Sequence, residues 1–437
     1  MNKKSLYIRT FGCQMNVRDS EFVMALMMEE GFTQASSIED ADVILFNSCS
    51  IRKHAEDRLI SNIADLKPLK KKRPGVVIGL MGCTAQSYKD EILKKIPILD
   101  FSCGPGNESD IPGIVKDILE NRCPVIAIDK VNEKRPELFP EYREGRSKAF
   151  ISIGQGCDNY CSYCIVPYVR GHEKSRDARD ILKEAEALAR RGFKEITLLG
   201  QNVNSYKSAD NKNGFVGLLE SLNAIKGIER IRFMTSHPKD ASTELFKAMT
   251  RLEKVCEHLH LPLQSGSDKI LKMMNRRYTR KKYLKLVEDY RSIVPGGSIT
   301  TDVIVGFPSE TDKDFKDTFR LMNEVRFDSA FTFKYSPRPP AKSSQLKDNV
   351  PSEVKDARLK ALMDIQCESS LMRNEELIGN AVAVLADCRN EKHPSTLTGR
   401  TKTNKTVVFE GNDKLIGTIV DVKIESVKPH TLIGRIC

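Results

Sequence analysis

Three times near the start of the 437-residue chain, a short apolar run ends directly in a cysteine. The runs "LYIRTFGC", "ADVILFNSC" and "GVVIGLMGC" place Cys13, Cys49 and Cys83 at intervals of 36 and 34 residues. Such an interval holds one strand, a crossover helix and the next strand. Helical signals fill the gaps. "DSEFVMALMMEEG" opens on a capping Asp19 or Ser20 and closes on Gly31, and "RKHAEDRLISNIADLKPL" and "YKDEILKKI" follow the later strands. Short apolar strands alternating with helices form a parallel sheet. Residues just after its strands collect at the carboxyl edge, where open α/β folds bind ligands. Three cysteines remote in sequence are therefore expected to meet.

The twelve cysteines point to metal or redox chemistry, because the basic start "MNKKSLYIRTFGC" lacks the apolar core of a secretory signal. A cytoplasmic location is expected. No run approaches the ~18 apolar residues of a membrane span. Cys103, Cys123, Cys256, Cys367, Cys388 and Cys437 stand alone and read as small buried hydrophobes or inert thiols. Lys plus Arg number 70 against 59 Asp plus Glu, a net charge of +11 that favours a polyanionic partner, RNA or DNA first.

A second cysteine group lies in "GCDNYCSYC": Cys157, Cys161 and Cys164. Three thiols are one short of a closed zinc site, for which His172 is the nearest extra ligand. They are also one short of a four-iron cluster with a cysteine on every iron. An open position is where a metal site does chemistry. From about 145 to 370 the chain repeats strand and helix six times, with strands "AFISIGQG", "EITLLGQN", "RIRFMTSHP", "EHLHLPLQSG", "SITTDVIVGFP" and "SAFTFKYSPRP". Six βα units form a barrel or partial barrel whose function lies on the carboxyl rim. That rim collects the cysteine triplet, Gln201, Asn202, Ser236, His237, Gln264 and Ser265. From about 378 the pattern changes to short β runs, which read as a small closed barrel. Its "TGRTKTNKTVVFEG" sets Arg400, Lys402, Asn404 and Lys405 before Phe409, a pattern suited to phosphate neutralisation and base stacking. An ordinary solvated strand face fits the same pattern.

The spacing Cys157-x3-Cys161-x-Tyr163-Cys164 resembles the radical S-adenosylmethionine (SAM) signature. Together with "FGCQMNVRDSE", "NSCSIRKHAEDR", "GLMGCTAQ", "LLGQNVNSY", "HLPLQSGSDKIL", "ITTDVIVGFPSET" and "GRTKTNKTVVFEG", it makes nearly the whole chain similar to the methylthiotransferase family. The resemblance implies an α/β chain in three parts. These are an N-terminal parallel-sheet domain (1–120), a central partial (β/α)6 radical-SAM barrel (143–372) and a C-terminal TRAM β-barrel (375–437). It implies two [4Fe-4S] clusters, one on Cys157, Cys161 and Cys164 and an auxiliary one on Cys13, Cys49 and Cys83, with SAM as co-substrate. Tyr163 is expected against the adenine, and Gln201, Asn202, Gln264, Ser265 and Asp302 are candidate SAM contacts or loop-shaping residues. "GCQMN" and "NSCSIR" are similar to the branch that methylthiolates N6-dimethylallyladenosine beside the tRNA anticodon. The alternatives are threonylcarbamoyladenosine, a ribosomal protein, or a non-catalytic metal-stabilised RNA-binding module. A monomer is expected, with the tRNA anticodon stem-loop as substrate and a flavodoxin or ferredoxin as electron donor. One departure stands out: "SPRPPAKSS" replaces the family's usual Gly-Thr-Pro after the sixth strand.

Overall fold

A computed structural model describes residues 3–50, 53–128, 142–210 and 214–437. The first sheet contains β1 (Ser5–Phe11), β2 (Thr33–Gln34), β3 (Val43–Ser48), β4 (Val77–Met81), β5 (Phe101–Cys103) and β6 (Val125–Ala127). All its pairings are parallel, in the order β2-β1-β3-β4-β5-β6. β3 and β4 are buried along their whole length, which explains their unbroken apolar runs, since helices cover both faces of such a sheet. The strand order reverses between β1 and β3, and the ligand crevice of an open α/β sheet lies at such a switch point. β2, β5 and β6 escape the sequence reading because two or three residues carry no periodic signal. The third helix also differs from expectation. It runs Cys83–Tyr88, breaks at Lys89 (φ +48°) and resumes at Glu91–Lys95.

The middle region forms β7 (Lys148–Ser152), β8 (Gly154–Gln155), β9 (Lys174–Ser175), β10 (Glu195–Leu199), β11 (Arg230–Phe233), β12 (His258–His260), β13 (Ser298–Val305) and β14 (Ser329–Lys334). Two parallel three-stranded ladders, β7-β10-β11 and β12-β13-β14, join through a parallel bridge from Ile231 to Val255. The result is the expected six-stranded partial barrel, open between β7 and β14. Ile151, Leu198, Ile231, Leu259 and Val303, all essentially buried, belong to its core. The helix Ala178–Arg190 has Asp177 at its N-cap, but the capping carboxylate is remote. Asp210 accepts from the amides of Ala178 and Arg179, both at 3.1 Å.

The last part is a closed barrel of β15 (Ala381–Arg389), β16 (Thr396–Thr401), β17 (Thr406–Glu410), β18 (Ile419–Lys428) and β19 (Thr431–Ile436). Its β16–β17 hairpin is docked on the amino edge of the central barrel. Arg230 Nη1 donates to the Arg400 carbonyl at 2.6 Å, and Arg232 donates to the carbonyls of Lys402 (2.8 Å) and Thr401 (2.5 Å). Ser298 Oγ donates to the Thr403 carbonyl at 2.7 Å. Lys402 Nζ reaches the Glu253 carbonyl at 2.6 Å, and Lys405 Nζ reaches Asp328 Oδ1 at 2.7 Å.

Arg232 is also paired with Glu195 at 2.9 Å, both side chains 4% exposed or less. Removing one partner of such a pair leaves a buried charge uncompensated. Arg232→Met is therefore expected to cost about 3–5 kcal/mol, read as a fall in the urea midpoint. A loss under ~1 kcal/mol, the worth of an exposed pair, would sink this account of the hairpin's docking.

Candidate functional site

Cys13, Cys49 and Cys83 stand at the carboxyl ends of β1, β3 and β4 as expected. Two asparagines tie the loops together. Asn16 Nδ2 donates to Asn47 Oδ1 at 2.8 Å, and Asn47 Nδ2 donates to the Asn16 carbonyl at 2.7 Å and Ser20 Oγ at 3.0 Å. Cys13 Sγ lies 3.3 Å from Asn16 Oδ1. A Cβ on Gly12 would fall 2.6 Å from Asn16 Oδ1 and 2.9 Å from Cys49 Cβ, so only glycine lets the two cysteine loops approach. A hydrogen bond from Cys49 pulls the Cys13 thiol down to about 6. Burial pushes Cys83 up, against the pull of Arg170.

The second triplet lies in the loop after β7. A Cβ on Gly156 (φ +76°) would overlap the His172 carbonyl, so glycine is required where the loop turns back on itself. Asn159 Nδ2 donates to Cys157 Sγ at 3.4 Å, and Arg276 Nη1 donates to Cys161 Sγ at 3.2 Å. Burial pushes Cys164 up to about 12 and also raises Cys157. His172 is paired with Asp158 at 2.7 Å, exposed, and serves the loop.

The two loops are neighbours. Cys83 packs with Ile165 and Val169, one and five residues after Cys164. Arg170, at the end of the short helix Val166–Val169, crosses into the first domain. Its Nε donates to Cys83 Sγ at 3.2 Å and its Nη2 to Asp19 Oδ2 at 2.8 Å. All six cysteines are free thiols. Among the described residues no three His, Cys, Asp or Glu side chains converge on a single-ion position. A four-iron cluster takes one thiolate per iron, so its ligands ring a body larger than one ion. Positively charged and amide N–H groups aimed at the sulfurs are the surroundings such a cluster uses. The donor chemistry therefore fits the group.

The other sequence candidates separate. Tyr163 is half-buried beside Ile270, Met274, Phe307 and Tyr335. Gln201, just after β10, keeps a buried Oε1 that has no partner among the described residues. Asp302 lies 3.4 Å from His260 Nε2. Gln264 adopts φ +65° and its amide bonds the Asp302 carbonyl. Asn202 is consumed by Asp240 (2.7 Å) and the His237 amide (3.1 Å). Ser265 is fully buried against Thr318 and Ser267. These last two shape loops.

Of the residues expected to contact RNA, Phe409 needs correction. Phe409 is 1% exposed, in the small barrel's core, and offers no face for stacking. Arg400, Lys402 and Lys405 belong to the docked hairpin, and Asn404 accepts from Arg400 within its tip. A basic strand beside an aromatic looks alike whether it meets RNA or another domain. Asn16, Asn47, Arg170 and Arg276 were missed. Asn16 and Asn47 lie within three residues of a cysteine and Arg170 within six of Cys164, a signal available in "GCQMN", "NSC" and "CIVPYVRG". Arg276 is remote in sequence and carries no such signal.

Three family descriptions match the chain. They are the radical SAM superfamily over residues 151–322, the uncharacterised family UPF0004 over 5–104 and the TRAM domain over 376–437. This combination makes the chain a radical SAM protein, and membership of that superfamily implies a [4Fe-4S] cluster and SAM. The chain is 46% identical over 99% of its length to the tRNA-2-methylthio-N(6)-dimethylallyladenosine synthase of Thermoanaerobacter sp. (strain X514), covering 93% of that protein. It is 44% identical over its full length to the protein of the same name from Clostridium perfringens (strain SM101 / Type A), covering 98% of it. The chain belongs to the family of these synthases. Among solved structures, the radical SAM methyltransferase TsrM from Kitasatospora setae superposes with TM-score 0.56 at 12% identity, over 78% of this chain and 75% of that one. The cobalamin-dependent radical enzyme OxsB gives 0.52 at 13%, over 83% and 56%. These last two likenesses concern fold.

The thiol environments predict a reactivity order. In iron-free protein at neutral pH, Cys13 is expected to be mostly thiolate and to alkylate readily, its rate falling as pH drops through about 6. Cys164 is expected to stay protonated, since its thiol titrates near 12. Site-resolved mass spectrometry of alkylated peptides checks this, and equal rates for the two would contradict it.

Proposed function

We propose that the chain is a tRNA-modifying transferase that adds a methylthio group to C2 of N6-dimethylallyladenosine beside the anticodon. The observation that carries this reading is the meeting of two three-cysteine rims, joined by Arg170 on Cys83. The identity of 46% over 99% of the chain supports the same substrate. An adenine C2–H is not acidic and carries no leaving group, so acid–base or nucleophilic catalysis offers no route. When bound, the clusters and SAM supply the one-electron chemistry and the sulfur that this bond requires.

The chain's own residues hold and orient. Cys157, Cys161 and Cys164 would hold the SAM-cleaving cluster, with Arg276 and Asn159 donating to its sulfurs. Cys13, Cys49 and Cys83 would hold a second cluster, with Asn16 and Asn47 fixing their loops. Tyr163 and Gln201 line the rim where SAM would lie, and Asp302 stands below them on β13. Among the described residues no helix is long and apolar enough to cross a membrane. A cytoplasmic monomer served by a flavodoxin or ferredoxin completes the reading.

Deleting the gene is expected to remove the methylthio-dimethylallyl nucleoside from total tRNA while the unthiolated prenylated nucleoside accumulates, measured by mass spectrometry. An unchanged nucleoside would move the target to threonylcarbamoyladenosine or a protein. Anaerobic reconstitution should load two clusters and Cys83→Ala only one. An iron content unchanged by that substitution would end the second-cluster reading.

A further inference from the structure

The segment from Asp268 to Lys285 carries eight cationic side chains and one acidic one. Half of the cations are spent. Lys269 pairs with Asp314, Arg280 with Glu324 and Lys285 with Glu288 and Asp289, while Arg276 is committed to Cys161, Tyr278 and the Pro262 carbonyl. Lys272, Arg277, Lys281 and Lys282 are exposed, and none forms an ion pair with a described residue. Helix stability does not account for them. Lys281 and Lys282 lie in the first turn of the helix Arg280–Ile293, which holds no acidic residue, and a helix N-terminus disfavours cations. Arg277 and Lys282 are both within electrostatic reach of His237, just after β11, so the patch lies at the carboxyl side of the barrel wall.

The inner side of the same segment grips the loop of the second cysteine triplet. Ser162 donates from its amide to the Met274 carbonyl at 3.0 Å and from Oγ to the Met273 carbonyl at 2.9 Å. Asn275 Nδ2 donates to the carbonyls of Asn159 (3.2 Å) and Tyr160 (3.0 Å). The chain turns through left-handed Asn275 and Arg277 (φ +57° and +59°), and two consecutive arginines part there: Arg276 is 4% exposed against the Cys161 thiol, and Arg277 is exposed. The positive face is thus one residue removed from the group that touches Cys161.

We propose that Lys272, Arg277, Lys281 and Lys282 form the docking surface of an acidic one-electron carrier protein. The proposal rests on the reading that Cys157, Cys161 and Cys164 hold the SAM-cleaving cluster. One electron passes: the carrier's centre is oxidised by one, the cluster is reduced from [4Fe-4S]2+ to [4Fe-4S]+, and no bond or proton changes place. Position favours a carrier over RNA. The segment follows β12, in the middle of the strand order from β7 to β14, whereas the first domain meets the barrel at the two ends of that order. A base to be modified must lie between the two rims, on the flank of the loop where Ile165 and Val169 pack on Cys83. The patch takes the other flank. Opposite charge there steers an acidic partner to the surface nearest the sulfurs.

The test uses the full-length, anaerobically reconstituted protein with a bacterial flavodoxin as the probe. The variant carries Lys281→Glu and Lys282→Glu together. Both positions are exposed, and acidic residues are favoured at a helix start, so it is expected to fold with wild-type iron. Calorimetry is expected to show saturable flavodoxin binding to the wild type that weakens with added salt, and binding about tenfold or more weaker in the variant. Freeze-quench EPR is expected to show cluster reduction by flavodoxin hydroquinone slowed by a similar factor, with reduction by dithionite unchanged. Wild-type flavodoxin affinity in the variant would overturn the proposal. If that variant lost affinity for unmethylthiolated tRNA instead, the patch would be an RNA surface. A wild type that binds flavodoxin and is reduced by it, yet leaves prenylated adenosine unmodified, would sink the function proposed above and leave the docking surface standing.

Discussion

Glu184, 1% exposed, is the point on which the arrangement of the first two domains depends. Arg143 reaches it at 2.7 Å, Arg176 at 2.8 Å and Arg18 at 3.4 Å. One of these cations comes from the helix that starts beside Cys13, one from the segment entering β7 and one from the strand edge after the second triplet. A buried carboxylate is tolerable only when paired, and three cations from three segments fix their mutual placement. Glu21 at 3.7 Å from Arg143 relieves the excess positive charge. The knot touches no cysteine directly; it helps to hold the helix carrying Asp19 against the barrel, where Arg170 meets both Asp19 and Cys83.

A second tie lies across the opening of the barrel. Arg338, in the "SPRPPAKSS" segment after β14, pairs with Glu56 of the helix Lys53–Ala64 at 3.1 Å. Tyr88, from the helix begun by Cys83, also bonds Glu56. The first domain thus touches the barrel near β7 through the helix Gln14–Glu29 and beyond β14 through Arg338. The segment that departs from the family pattern thus contributes a tie between the barrel and the first domain.

Much of this was legible in the chain. The apolar runs before Cys13, Cys49 and Cys83 fixed three parallel strands and one shared edge, because strand direction leaves no other place for those cysteines. The six barrel strands were legible from their alternation with amphipathic helices. What stayed hidden is what sequence order does not encode. Asp210 caps a helix that begins over thirty residues earlier, and Arg276 reaches Cys161 from over a hundred residues away. Arg170 was visible as a neighbour of Cys164, but its partner Asp19 was remote. The small barrel misled for a different reason. Phe409 alternates inward in β17, while the basic residues Arg400, Lys402 and Lys405 lie before it at the end of β16 and in the turn, and a docking surface and an RNA surface draw on the same residue types.

The docked hairpin has a consequence for traffic. Its contacts cover the amino ends of β11 and β13 and the approaches to β12 and β14, and Lys148 at the start of β7 pairs with Asp387 of the small barrel at 2.8 Å. The packed core and the docked hairpin together close the amino side of the barrel. Whatever reaches the cysteine rims arrives and departs by the carboxyl side or through the seam beside the first domain. Spent nucleoside, fresh SAM and the polymer being modified must share that mouth.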